Sequence, residues 1–167
     1  YLWEFRGRAM LALACLIAIL AWPLRYLRRM ASGNRLNSLW AGTPIINMAT
    51  NAKAERLLGV NARSLVYTTY FITEAFDYDL SRWTRIPLIG RAVPLLVFIW
   101  ACIYADRLHF YCDRGILPSR GHFGFDYTEL YIYRILGIPV FLWTYGADIR
   151  NERTCREMGE PNCCTNC

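Results

Sequence analysis

The sequence predicts an α/β fold, a parallel sheet with helices on both faces, preceded by an N-terminal apolar helix. Three observations carry this. Apolar runs rich in β-branched and aromatic residues, such as Ile138-Pro139-Val140-Phe141-Leu142-Trp143, read as strands covered on both sides. Segments with helix formers and helix stops alternate with them. Each apolar run also ends in a small, polar or charged turn, as in Tyr145-Gly146-Ala147-Asp148-Ile149-Arg150. In parallel sheets of this kind ligands sit beyond the carboxyl ends of the strands, so these turns are where chemistry is expected.

The chain has 167 residues, 55% of them hydrophobic and 15% aromatic, enough for one well-buried domain and too apolar for wholesale disorder. The first residue is Tyr1 and the last is Cys167 within a cysteine cluster, which reads as a piece of a longer protein. Net charge is +6, of which residues 1–36 hold +5: six arginines against Glu4. A globular part left nearly neutral gives no support to a nucleic-acid partner, and anionic lipid becomes the expected one.

Residues 1–36 form a basic, apolar arm. Ala9 to Leu24 carries no charge over sixteen residues, between Arg6 and Arg8 on one side and Arg25, Arg28 and Arg29 on the other. A membrane span needs about 17 to 25 such residues, so a short span, a helix lying in the interface and a helix buried in the full-length protein all remain open. A signal peptide is the further rival, although Trp22, Pro23 and the arginines give no small-residue cleavage site. Ser32-Gly33-Asn34 is a hinge, and the α/β domain is expected over residues 37–154.

The first strand is expected at Thr43–Met48, with proline tolerated at its entry. Thr50 or Asn51 then caps a helix over Ala52–Leu58, and Gly59 stops it. Ser64–Ile72 reads as the second strand. This unit lacks G-x-G-x-x-G, so no tightly bound dinucleotide is expected. The charged stretch Glu74, Asp77, Asp79, Arg82 and Arg85 reads as a solvated connection. Ala92–Ala105 is an uncharged buried helix with Pro94 in its first turn. Leu108–Cys112 is the third strand, with His109 as a core histidine. Residues 117–125 have loop composition. Asp126-Tyr127-Thr128-Glu129 resembles a capping box, and Gly137 closes the helix before the final strand.

Right-handed crossovers would bring the polar exits of four such strands to one rim. The expected pocket comprises Asn47, Thr69, Asp113, Arg114, Tyr145, Gly146, Asp148 and Arg150.

Asp106-Arg107-Leu108-His109-Phe110-Tyr111, then Leu136-Gly137-Ile138-Pro139-Val140, then Tyr145-Gly146-Ala147-Asp148 together follow a recognisable outline. It resembles the N-terminal, acceptor-side Rossmann-like domain of GT-B glycosyltransferases, where D-x-x-H-x-H precedes L-G-x-P-V and H-G-x-D. Tyr111 and Tyr145 stand where that family commonly has histidines. The resemblance covers roughly residues 39–150. It implies a nucleotide-sugar donor site in a second, C-terminal domain, no cofactor in this one, and an acceptor that is lipid-linked or a polysaccharide. Under it, Asp148 or Asp113 orients or deprotonates the acceptor hydroxyl and Arg114 and Arg150 balance anionic charge, while the fragment alone is inactive.

Seven cysteines are present. Cys15, Cys102 and Cys112 sit in apolar surroundings suited to free thiols, which points to a reducing compartment, cytoplasmic or on the cytoplasmic face of a membrane. Cys155, Cys163, Cys164 and Cys167, in a tail over 155–167, are candidate zinc ligands, with free thiols or disulfides as the alternative. The competing function is a non-catalytic α/β binding or scaffold domain carrying this tail.

Overall fold

A computed structural model describes residues 2–31, 33, 35–69, 75–87, 89–111, 114–117, 127–144 and 157. Two helices open the chain, α1 (Leu2–Leu20) and α2 (Trp22–Ala31). They are followed by β1 (Asn37–Ala41), α3 (Ile46–Leu57), β2 (Asn61–Val66), β3 (Tyr78–Asp79), α4 (Ser81–Thr84) and α5 (Ile89–Tyr104). The described part closes with β4 (Arg107–Tyr111), α6 (Tyr127–Ile135) and β5 (Val140–Trp143). The five strands form one sheet in the order β3-β2-β1-β4-β5, and every neighbouring pair is parallel. The predicted α/β class, parallel and clothed on both faces, is therefore what the chain adopts.

Alternation along the strands builds two cores, one on each side of the sheet. Trp40, Ala62, Val66 and Tyr111 point to the side covered by α3, where Met48 and Ala52, one turn apart, are fully buried. Leu39, Ala41, Leu65, Leu108 and Phe110 point the other way, against Phe98, Ala101 and Cys102 of α5 and Ile132 and Tyr133 of α6. The Tyr133 ring packs against both Phe98 and Phe110, and all three are fully buried. Truncating Phe98 or Phe110 to alanine would cost about 3–5 kcal/mol. The Cys102 thiol is buried here and its pKa is pushed up to about 12 by that burial, so it is an inert core thiol.

Several boundaries differ from expectation. The first strand is Asn37–Ala41, all five residues buried, and Thr43–Met48 instead forms the turn into α3 and its first residues. Ile45-Ile46-Asn47-Met48 is β-branched enough to suggest a strand, but the Met48 and Ala52 spacing is helical and tertiary burial follows it. Thr50 accordingly lies inside α3, its hydroxyl donating to the Ile46 carbonyl at 3.2 Å, and no side chain caps the helix. Gly59 does stop it, at φ +84°.

The second strand starts three residues earlier than read and ends at Val66. A fifth strand, β3, arises inside the supposed solvated connection. Asp77 makes this pairing specific, accepting from the Ser64 N–H at 2.8 Å, the Ser64 hydroxyl at 2.9 Å and Arg56 at 2.9 Å. Pro94 lies a full turn inside α5, which begins at Ile89. The last strand is not sandwiched: β5 is at the sheet edge, with Phe141, Leu142 and Trp143 each more than 40% exposed. Its unbroken apolar run mimics a central strand because neither face nor edge position is encoded in hydropathy alone.

Candidate functional site at the carboxyl rim

The strand order reverses between β1 and β4. From β1 the chain winds outward to β2 and β3, then returns across the sheet to β4 and continues to β5. The loops leaving β1 and β4 thus lie next to each other at the carboxyl edge, at the switch point where open parallel sheets generally hold ligands.

Gly42 and Arg114 meet at this point. Gly42 has φ +114°, and a Cβ placed on it would lie 2.6 Å from the Arg114 carbonyl oxygen. Only glycine permits this backbone and this approach. Arg114 in turn donates its N–H to the Tyr111 carbonyl at 3.2 Å, while its side chain is exposed at the rim. Asn47 projects from the first turn of α3 on the same edge, also exposed, and Thr69 follows the carboxyl end of β2. Asn47, Thr69 and Arg114 thus all belong to the carboxyl rim. Asp113, Tyr145, Gly146, Asp148 and Arg150 lie outside the described residues, as do Cys155, Cys163, Cys164 and Cys167.

Beneath the rim is a buried carboxylate, Glu129; Asp126, the cap residue of the expected capping box, lies outside the described residues. Glu129, in the first turn of α6, is fully buried and accepts from the N–H groups of Ile116 at 3.0 Å and Leu117 at 3.3 Å, and from the Tyr133 hydroxyl at 3.2 Å. It therefore ties the loop after β4 to α6. Gly115 presses against this carboxylate so closely that a Cβ would overlap Glu129 Oε1. The Tyr67 hydroxyl, at the exit of β2, is shielded from solvent and has no hydrogen-bond partner among the described residues. Burial first, and the Glu129 charge second, push the pKa values of Tyr67 and Tyr133 well above that of free tyrosine, so both stay protonated donors. The signal for Gly42 was in the sequence: a glycine directly after Leu39-Trp40-Ala41 and two residues before Pro44 marks a strand exit. Nothing local signals that Glu129 faces the loop, because that depends on how α6 docks.

The opposite, amino edge holds a structural cluster. Asp106 accepts from the Asn37 backbone N–H at 2.8 Å, the Asn37 side chain at 3.0 Å and Arg28 at 2.7 Å. Burial opposes ionisation of Asp106, but the Asn37 hydrogen bonds and the Arg28 guanidinium outweigh it and hold the carboxyl below its usual range. Asp106, the aspartate of the D-x-x-H outline, is thus far from the rim.

His109 lies mid-strand, as a core histidine should. Its ring stacks on Trp40 at 4.1 Å between centroids and on Phe141 at 5.0 Å, its register partners on β1 and β5. Nδ1 accepts from the Trp143 indole at 3.1 Å, and Nε2 lies 3.5 Å from Glu55 Oε1 without a hydrogen bond. Glu55 is taken up by Arg107 at 2.8 Å and by the Trp40 indole at 3.0 Å. Burial lowers the His109 pKa to about 4, with Glu55 pulling up and Arg107 pushing down, so the imidazole is neutral near pH 7.

No family model, curated protein or solved structure matches the chain. Among the described residues no group of three or more His, Cys, Asp or Glu side chains is placed to hold a metal ion. What the described rim offers is an exposed guanidinium, an amide, a threonine hydroxyl and the backbone at the start of α3, a set suited to hydroxyl and anionic groups of a polar ligand.

Proposed function

We propose that the chain is the acceptor-side, Rossmann-like domain of a glycosyltransferase that moves a sugar from a nucleotide-sugar donor to a lipid-linked or polysaccharide acceptor. The observation that carries the reading is the switch point between β1 and β4, where Gly42 packs against Arg114, with Asn47, Thr69 and Arg114 at the carboxyl edge of the sheet. The outline formed by Asp106, His109, Gly137, Pro139, Val140, Gly146 and Asp148 supports it by resemblance.

In the reaction an acceptor hydroxyl attacks the anomeric carbon of the donor sugar. The new C–O bond forms as the bond to the nucleoside diphosphate breaks, and the hydroxyl proton passes to Asp148 or Asp113. Arg114 and Arg150 neutralise phosphate charge, while Asn47, Thr69 and Tyr145 orient acceptor hydroxyls. The donor occupies a second domain, and the zinc reading of Cys155, Cys163, Cys164 and Cys167 is a structural one that takes no part in transfer.

The test is transfer of labelled sugar from a panel of nucleotide-sugars to lipid-phosphate and oligosaccharide acceptors by the full-length protein. Activity that is lost in Asp148→Asn and falls at least about tenfold in Arg114→Ala supports the assignment. If no nucleotide-sugar is consumed and none raises the melting temperature, the transferase reading falls. The second reading, a non-catalytic α/β binding or scaffold domain, is favoured by the exposed aromatic edge at Phe141 and Trp143, and that outcome would leave it standing.

A further inference from the structure

The surface of α1 and α2 is inverted relative to a water-soluble helix pair. The stripe facing the protein is Ala14, Ala18, Ala21 and Arg25, all buried, and α1 and α2 both pack along α5. The outward side carries the large apolar residues: Leu13, Leu16, Leu20, Trp22, Leu24 and Leu27 are each more than half exposed. A run of this size turned to solvent marks an interaction surface. The covering partner can be read from charge and geometry. Arg29 and Arg35 of the same N-terminal segment are exposed, and the first 36 residues hold +5 of the chain's +6. The Trp22 and Tyr26 rings stack at 6.2 Å on the outer side, amphipathic rings of the kind enriched where bilayer meets water.

The arm is also tied down. Arg25 donates to the carbonyls of Cys102, at 3.3 Å, and Ala105, closing the carboxyl end of α5, and Arg28 pairs with Asp106. No single described helix is long and apolar enough to cross a membrane, and the two segments Leu11–Leu20 and Trp22–Ala31 meet at a 46° bend. Crossing would require α2 to abandon Asp106 and the end of α5 and carry Arg25 and Arg28 into hydrocarbon uncompensated.

We infer that α1 and α2 lie flat in one leaflet of an anionic membrane, their leucine and tryptophan face in the acyl boundary and Arg29 and Arg35 at the headgroups, while the alanine stripe holds the α/β domain against the surface. The inference is independent of the transferase reading. It places the domain as a monotopic, peripheral one whose attachment is part of its fold.

Vesicle co-sedimentation of the full chain tests it. Phosphatidylcholine vesicles with about a third phosphatidylglycerol should bind more tightly than neutral ones, by about fivefold for each arginine engaged. The pair Leu16→Glu and Leu20→Glu should abolish binding to both, with unchanged circular dichroism because both side chains are exposed. The pair Arg29→Glu and Arg35→Glu should erase only the preference for anionic lipid. Brominated lipid should quench tryptophan fluorescence in the parent chain and much less in Trp22→Phe, and alkaline carbonate should strip the protein from membranes. Failure to bind anionic vesicles, or resistance to carbonate, would overturn the flat disposition. So would a lipid-free dimer dispersed by the leucine substitutions, which would assign the face to a second copy of the chain.

Discussion

Arg28 and Asp106, seventy-eight positions apart, are joined by a 2.7 Å ion pair that fastens the N-terminal arm to the amino edge of the sheet. The same carboxylate holds Asn37 at the first residue of β1, so one side chain fixes the arm, the central strand and the start of β4.

Asp106→Ala should therefore cost about 3–5 kcal/mol, because two arginines and a backbone N–H lose a buried partner together. Urea denaturation would show it as a lowered midpoint. Asp106→Asn, which keeps an acceptor for Asn37 but removes the charge, should fall between the two. The folded pKa of Asp106 is depressed, so its contribution is present above the unfolded value near 3.8 and is lost as pH falls through the folded value.

His109 governs a different window. Its folded pKa of about 4 lies below the ordinary histidine value of 6.5, so between these limits the unfolded chain binds a proton that the folded chain refuses. Stability is full above about pH 6.5 and falls as pH drops toward 4, by up to about 3 kcal/mol. His109→Gln should flatten the stability profile between those limits, measured by urea midpoints at intervals of pH. An unchanged slope would exclude His109 as its source.

Gly42→Ala should destabilise by about 1–3 kcal/mol, since it adds a positive-φ penalty to a clash with the Arg114 carbonyl that only backbone movement relieves. The expected signature couples stability with function: the melting temperature drops, and ligand binding at the rim weakens even where the variant remains folded.

Glu129→Ala should cost about 3 kcal/mol or more by orphaning the Ile116 and Leu117 N–H groups and the Tyr133 hydroxyl. Glu129→Gln, which still accepts, should retain part of that. Hydrogen exchange at Ile116 and Leu117 would speed up in the alanine variant before global unfolding does.

Much of the architecture was legible because burial on both faces of a parallel sheet leaves long apolar runs and because Gly59 and Gly137 end helices in the left-handed region. The central strand was misplaced because Ile45-Ile46 is locally strand-like while Asn37-Ser38 looks polar. In the folded chain Asn37 and Ser38 are buried, and Asn37 is satisfied by Asp106 from a distant part of the sequence. Asn47, Thr69 and Arg114 do lie at the carboxyl edge, Asn47 on the first turn of α3 and not at a strand exit as expected. Glu129 and Tyr67 were not legible, since their roles come from burial against loops remote in the chain.

The sequence by itself determined the α/β class, the polar exits of the strands and the basic, apolar character of the arm, all of which follow from periodicity and charge within a short window. Tertiary structure alone decided the strand order, the edge position of β5, the turning of the arm's large side chains outward, and the partners of Asp106, His109 and Glu129. Those depend on which surfaces meet, and contact between residues dozens of positions apart is set by packing of the whole chain, not by any local pattern.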